Sequence, residues 1–134
     1  MSRCLWQPTD TQIQATRMYR FMTRINQRYG TNFDNYDGLY QWSVDHIPEF
    51  WQEMWDEAGI IASAPYTAVV DDAAKMPGAR WFEGARLNFA ENLLRHRDDR
   101  PALVFRGEDR VRRTLTYAQL YDQVARVAKA LKDG

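Results

Sequence analysis

An α+β chain is predicted, with a mostly helical amino-terminal cap over residues 1–98 followed by a β-hairpin and a helix over 99–134. Three observations predict it. Apolar residues recur at three- and four-residue spacing through the first part of the chain. A β-rich run, ALVFRGEDRVRRTLT, begins at Ala102 and turns on Gly107, Glu108 and Asp109. A threonine with glutamine three residues later, the capping-box pattern, occurs at Thr9/Gln12 and again at Thr116/Gln119.

Thr9 opens an amphipathic helix over about 10–28, carried by Met18, Phe21, Met22, Ile25 and Tyr29 and ended near Gly30. Polar turn residues follow, and Asp37 is a suitable cap for a short helix with Leu39, Tyr40, Trp42 and Val44. Pro48 suits the first turn of a third helix over about 48–57, which would present Phe50, Trp51, Met54 and Trp55 on one side. Residues 59–86 hold Gly59, Pro65, Pro77, Gly78 and Gly84 and read as irregular chain with a short strand near Thr67 to Val70. Asn88 caps a short helix ending about Arg95, with Phe89, Leu93 and Leu94 as its apolar side. After the hairpin, Tyr117, Leu120, Tyr121, Val124, Val127, Ala128 and Leu131 form a helical stripe that runs to Gly134.

With 134 residues the chain has the length of one ordinary domain, too short for a two-domain enzyme. Its 45% apolar and 13% aromatic content, with five Trp, is enough for a core of modest size. Eighteen basic residues balance eighteen acidic ones, so the field that draws polyanions is missing and no nucleic-acid partner is expected. The single cysteine, Cys4, has no internal disulfide partner, and MSRCLWQPTD has no apolar run of the signal-peptide kind. No stretch approaches the roughly 20 apolar residues of a membrane span, so a soluble cytoplasmic protein with no membrane partner is expected.

Four stretches in order resemble the start of the acetyl- and acetoacetyl-CoA synthetase branch of the adenylate-forming acyl-CoA synthetases. LYQWSVDHIPEFWQEMW at 39–55 resembles that family's helical WS…FW segment, and ARWFEGARLNFAENLL at 79–94 its WF–GA–LN–AEN segment. ALVFRGEDR at 102–110 and LTYAQLYDQVARVAKAL at 115–131 resemble the hairpin and the strand-to-helix step that open the large lobe. The triplet Ala90-Glu91-Asn92 looks like the acetoacetate branch.

The resemblance implies that residues 99–134 are the opening part of an α/β adenylation lobe, and that the remainder of the lobe is their packing partner. It also implies ATP, Mg²⁺ and CoA for the whole enzyme, which would join acetoacetate to AMP with release of pyrophosphate and then to the thiol of CoA. Such chemistry needs a glycine- and hydroxyl-rich phosphate loop, an acid for Mg²⁺ and a lysine. The sequence has no Ser/Thr/Gly-rich loop ending in Lys, so no catalytic, cofactor-binding or metal residue is expected within it.

Several residues nonetheless invite chemistry. Trp6, Trp42, Trp51, Trp55 and Trp81 could form a stacking platform, although Trp51 and Trp55, four apart on a helix, are better read as a shared core face. Arg106, Arg110, Arg112 and Arg113 could meet a phosphate, but Glu108 and Asp109 among them favour a solvated hairpin. His46 and His96 lack ligands at metal spacing. Glu49 with Glu53, Asp71 with Asp72 and Asp98 with Asp99 are acidic pairs without an adjacent nucleophile. Two roles from different classes remain: a non-catalytic supporting segment of a synthetase, and an independent helical protein-interaction module. An uncovered stripe over 100–134 would also favour a homodimer.

Overall fold

A computed structural model describes residues 5–108 and 110–134; Cys4 and Asp109, both singled out above, lie outside the described residues. The elements run α1 (Asp10–Gln14), α2 (Arg17–Tyr29), α3 (Tyr36–Asp45), α4 (Ile47–Ala58), β1 (Ala68–Val70), β2 (Trp81–Glu83), α5 (Phe89–Leu93), β3 (Pro101–Gly107), β4 (Val111–Thr116) and α6 (Tyr117–Asp133), an α+β order. They fall into two compact units. One comprises the chain up to Gly59 with Ala68–Glu83, the other Ile60–Thr67 with Gly84–Gly134.

In the first unit the capping box forms as expected, with Thr9 N–H donating to Gln12 Oε1 at 2.9 Å and Gln12 N–H to Thr9 Oγ1 at 3.3 Å. The single helix expected over 10–28 is divided. Thr16 is extended, at φ −74° and ψ 153°, and its hydroxyl accepts the N–H of Tyr19, so a second cap starts α2. Local side-chain capping here overrides a periodicity that continues across the break. Gly30, at φ +66°, ends α2 in the left-handed conformation that suits glycine. The turn into α3 is held by Asn26, whose amide accepts Phe33 N–H at 2.9 Å and donates to Phe33 O at 2.8 Å. The cap of α3 is Asn35, not Asp37: Asn35 is extended and its Oδ1 accepts Gly38 N–H at 3.0 Å, which leaves Asp37 inside the first turn.

Phe21, Met22 and Ile25 of α2 and Leu39 and Trp42 of α3 form the core, with Tyr29, Phe50 and Met54 packed against it. Phe21 meets Phe50 edge-on at 6.1 Å, and Tyr29 lies 5.0 Å from Trp42. The expected shared core face of Trp51 and Trp55 needs correcting. α4 turns Phe50, Glu53 and Met54 toward α2 and α3, and Trp51, one position on, is 43% exposed. Trp51 and Trp55 instead meet the β1–β2 hairpin, through Trp81 at 5.9 Å and Phe82 at 4.6 Å. β2 was not expected from sequence; it pairs antiparallel with β1, Ala68 opposite Glu83 and Val70 opposite Trp81.

In the second unit, Ala64 and Arg86 form a bridge, and Asn92 clasps Ile61 by accepting its N–H and donating to its C=O, both at 2.8 Å. Asn88 caps α5 as expected, accepting Glu91 N–H at 3.2 Å, but the helix stops at Leu93, short of Arg95. Its expected apolar side is also only partly inward: Leu94 is 6% exposed, whereas Phe89 is 75% and Leu93 53% exposed. β3 and β4 pair with Leu103 opposite Leu115, Phe105 opposite Arg113 and Gly107 opposite Val111, with an irregularity between Pro101 and Leu103. The Thr116/Gln119 capping box starts α6, whose first turns lie half-buried against the hairpin. Beyond Tyr121 the stripe faces outward, with Val127 60% and Leu131 79% exposed.

Trp42 is 6% exposed, so Trp42→Ala is expected to cost about 3–5 kcal/mol in a denaturant titration. Trp51→Ala, at a half-open position, is expected to cost ~1–2 kcal/mol. Equal shifts of the two midpoints would contradict the orientation of α4.

Candidate functional site

The most concentrated polar arrangement lies between α2 and α4. Glu53 sits on the inward face of α4 between the apolar Phe50 and Met54 and is fully buried, at 0% exposure. Facing it, α2 supplies Arg24 and Arg28, one turn apart, and Tyr29. Arg28 Nη1 is 2.8 Å from Glu53 Oε1, and the Tyr29 hydroxyl donates to the same oxygen at 3.1 Å. Arg24 Nε stands 3.3 Å from Oε2, a charge contact without hydrogen-bond alignment, while Arg24 Nη2 donates to the Glu53 carbonyl at 3.2 Å. Arg24 Nη1 also reaches Glu57, and Arg28 Nη1 is shared between Glu53 and Asp56 of α4.

The electrostatics follow from that geometry. Burial, then the bond to Glu53, pushes the Tyr29 hydroxyl above its ordinary value, keeping it a neutral donor. Glu53 beside it raises the Arg28 guanidinium further. Glu53 Oε1 takes the Tyr29 hydrogen bond and the Arg28 contact, whereas Oε2 is met by Arg24 as a charge contact without a hydrogen bond. The arrangement can clamp two helices but presents no open position for proton transfer. Glu49 and Glu53, adjacent by spacing, therefore do not form a shared acidic site.

Beside this clamp α2, α3 and α4 leave an open groove of about 520 Å³. Phe21, Leu39, Phe50 and Met54 line it, Met18 and Tyr40 flank it, and Arg17, Ser43 and Glu57 supply its polar groups. Tyr36 and Tyr40 stack at 6.0 Å along one side. Such a mixture of flexible methionines and aromatic rings suits apolar contact more than bond-making.

The other residues read from sequence are dispersed. Asp71 accepts from Lys75 Nζ and from the N–H groups of Arg80 and Asp72, each at 2.8 Å, and closes the turn between β1 and β2. The Lys75 contact and the Arg80 and Asp72 N–H groups hold its carboxyl well below the usual range. Asp98 is likewise lowered by Arg100, which reaches it through Nε at 2.9 Å and Nη2 at 2.8 Å. The arginine cluster divides: Arg106 and Arg112 face each other across the ladder, and Arg113, next in the strand, lies on the opposite face against Phe105. They do not form one phosphate cradle. His46 stacks on Trp42 at 5.6 Å, and His96 meets Tyr117 edge-on at 6.4 Å. Trp6 is 74% exposed, whereas Trp42 is buried. Among the described residues no three His, Cys, Asp or Glu side chains are grouped to hold a metal ion, and no helix is long and apolar enough to cross a membrane.

Residues 36–93 match the acetyl-coenzyme A synthetase N-terminus family. Acetoacetyl-CoA synthetase of Danio rerio is 41% identical over 134 residues, spanning 98% of this chain and 20% of that protein. Malonamoyl-CoA synthetase vrtB of Penicillium aethiopicum is 38% identical, over 89% of this chain and 17% of that protein. Among solved structures, acetoacetyl-CoA synthetase from Streptomyces lividans superposes with a TM-score of 0.83 at 37% identity, covering 98% of this chain and 21% of that one. The chain thus spans about a fifth of the length of the relatives it matches.

Removal of Glu53 frees two arginines that are already 36% and 46% exposed and can take up water, so Glu53→Gln is expected to cost ~2–3 kcal/mol. Joint replacement of Arg24 and Arg28 by Met strands a fully buried carboxylate and is expected to cost about 3–5 kcal/mol. Denaturant midpoints of the two variants test this asymmetry. Asp71, whose carboxyl is lowered from 3.8, stabilises the fold above that pH, and the contribution is lost as pH falls through the lower folded value. Asp71→Asn is therefore expected to lower the melting temperature at pH 7, with the deficit closing below about pH 4. A deficit that stays constant down to pH 3 would contradict it.

Proposed function

We propose, from the premise that this chain belongs to the acetyl- and acetoacetyl-CoA synthetase family, that it is a non-catalytic supporting segment of an acetoacetyl-CoA synthetase. One observation carries the reading: an acetoacetyl-CoA synthetase superposes on 98% of the chain with a TM-score of 0.83. In the proposed whole enzyme, a carboxylate oxygen of acetoacetate attacks the α-phosphorus of ATP, expelling pyrophosphate, and the CoA sulfur then displaces AMP from the acyl carbon. ATP, Mg²⁺ and CoA belong to that enzyme, and no step is assigned to this chain. Its fixed carboxylates are already matched by Arg24, Arg28, Lys75 and Arg80, and its hairpin arginines are split over two faces.

The role left to it is mechanical. α2 and α4, tied by Glu53, pack with α3 around one core, and β3, β4 and α6 offer a surface to the remainder of the adenylation lobe. We place the protein in the cytoplasm, with no nucleic-acid or membrane partner. The acid is acetoacetate by weight of likeness to Danio rerio and Streptomyces lividans enzymes, although a synthetase named for malonamoyl-CoA is nearly as similar over this segment. A second reading, an independent helical interaction module, is favoured by the open groove beside Met18 and Tyr40.

The 134-residue chain is expected to give no acetoacetate-dependent exchange of pyrophosphate into ATP. In a synthetase carrying the segment, Glu53→Gln is expected to lower the melting temperature while the KM values for acetoacetate and ATP stay within about twofold. Exchange by the chain alone, or a raised KM without a change in melting temperature, would place residues of this chain in substrate handling and overturn the supporting role.

A further inference from the structure

The sheet of β3 and β4 has two strands, so the outer edge of β3 has no strand beside it among the described residues. Alternate residues of an edge strand turn their N–H and C=O groups outward, where another strand can take them. Two strands alone are marginal in water, and α6 supports this pair from one side only. The centre of the β3 edge is Leu103-Val104-Phe105, at 50%, 75% and 59% exposure, with neither a charge nor a proline among the three. Protected edges carry one or the other.

The two edges of the hairpin are not equivalent. A two-fold axis at Val104 of β3 would set Val104 against its own copy, Leu103 against the other copy's Phe105, and Ala102 against its Arg106. Every central pair is apolar, and the arginines lie at opposite ends. A two-fold at or next to Arg113 of β4 would crowd Arg112 and Arg113 of both copies into one short stretch, with like charges as neighbours. Self-pairing is therefore compatible with β3 and opposed at β4.

We propose that two copies of the 134-residue chain associate through β3, antiparallel about Val104, forming a four-stranded sheet in the order β4–β3–β3–β4. The occupant of the edge is the same strand of a second molecule, and the interface is isologous. The proposal uses only the charge pattern and exposure of the hairpin and concerns the 134-residue chain; under the supporting role proposed above, a later strand of a longer polypeptide would compete for the same edge.

Sedimentation equilibrium of the chain across about a hundredfold range of concentration should show a monomer–dimer equilibrium. Val104→Lys should weaken it by about tenfold or more, because two ammonium groups would meet at the axis. The same change at Val127, an exposed position on α6, should leave it unaltered. Far-UV circular dichroism checks that each variant keeps its fold. A second measurement does not depend on a disruptive charge. In a Cys4→Ser background, Val104→Cys should oxidise to an interchain disulfide, since an axis at residue 104 sets the two side chains directly opposite, and a non-hydrogen-bonded pair there brings the Cβ atoms to ~4.5 Å, the outer limit of disulfide reach. Arg113→Cys should remain monomeric. A monomer at every concentration overturns the proposal, as does a dimer indifferent to Val104→Lys or one that cross-links through residue 113 instead of 104.

Discussion

A carboxylate with no exposure to water decides how the helices of the first unit are arranged. An isolated charge at the position of Glu53 would cost several kcal/mol to desolvate, and α4 tolerates it there only because α2 brings Arg24, Arg28 and Tyr29 to the same point. The requirement fixes rotation. With Glu53 directed at α2, helical geometry sends Phe50 and Met54 to the core beside it and carries Trp51 and Trp55 onto the next stripe. Those two rings then become the contact surface for Trp81 and Phe82, so the β1–β2 hairpin is seated by a choice made on the other side of the helix.

That dependence explains where the sequence was legible and where it was not. Signals confined to a few residues could be read directly: the capping boxes at Thr9 and Thr116, the Asn88 cap, Gly30 at the end of α2, and the turn of the β3–β4 hairpin. Each satisfies its own backbone within one turn of chain. Glu53 could not be read, because its burial depends on residues 24 to 29 positions away. On a helical wheel a glutamate flanked by four large apolar residues looks like the solvent side of the helix. The two cations at i and i+4 on α2, equal in spacing to Glu49 and Glu53 on α4, were the available signal. β2 escaped for a similar reason: three residues with no alternation gain strand geometry only from β1 and from the rings above them.

The stretches that resemble the synthetases can now be given physical content. In the first, Trp42 and Phe50 pack the core and the Ser43 hydroxyl donates to the carbonyl of Tyr40. In the second, Asn88 caps α5 and Asn92 of the Ala90-Glu91-Asn92 triplet clasps both backbone groups of Ile61. These positions hold backbone and core. Scaffold positions need not differ between enzymes named for different acids, and a malonamoyl-CoA synthetase is nearly as similar here, at 38% identity, as the Danio rerio acetoacetyl-CoA synthetase at 41%.

The hairpin is the place where local and long-range demands remain unreconciled within the 134 residues. Successive Leu, Val and Phe in β3 point apolar groups to both faces, the pattern of a strand covered on both sides in a layered sheet. Among the described residues α6 packs against both strands, and Leu103, Val104 and Phe105 remain at least half exposed. Under the two proposals made above, a later strand of the same polypeptide and β3 of another molecule would compete for the open edge, and concentration would arbitrate between them. A tethered strand acts at an effective concentration of order millimolar, whereas a second copy at micromolar abundance is about a thousandfold more dilute. With comparable pairing energies the tethered strand takes the edge in a longer chain. Self-pairing is then the behaviour of the chain when nothing attached to it competes. The same apolar run can therefore support a lobe in one context and hold a dimer in the other, without any change in the hairpin itself.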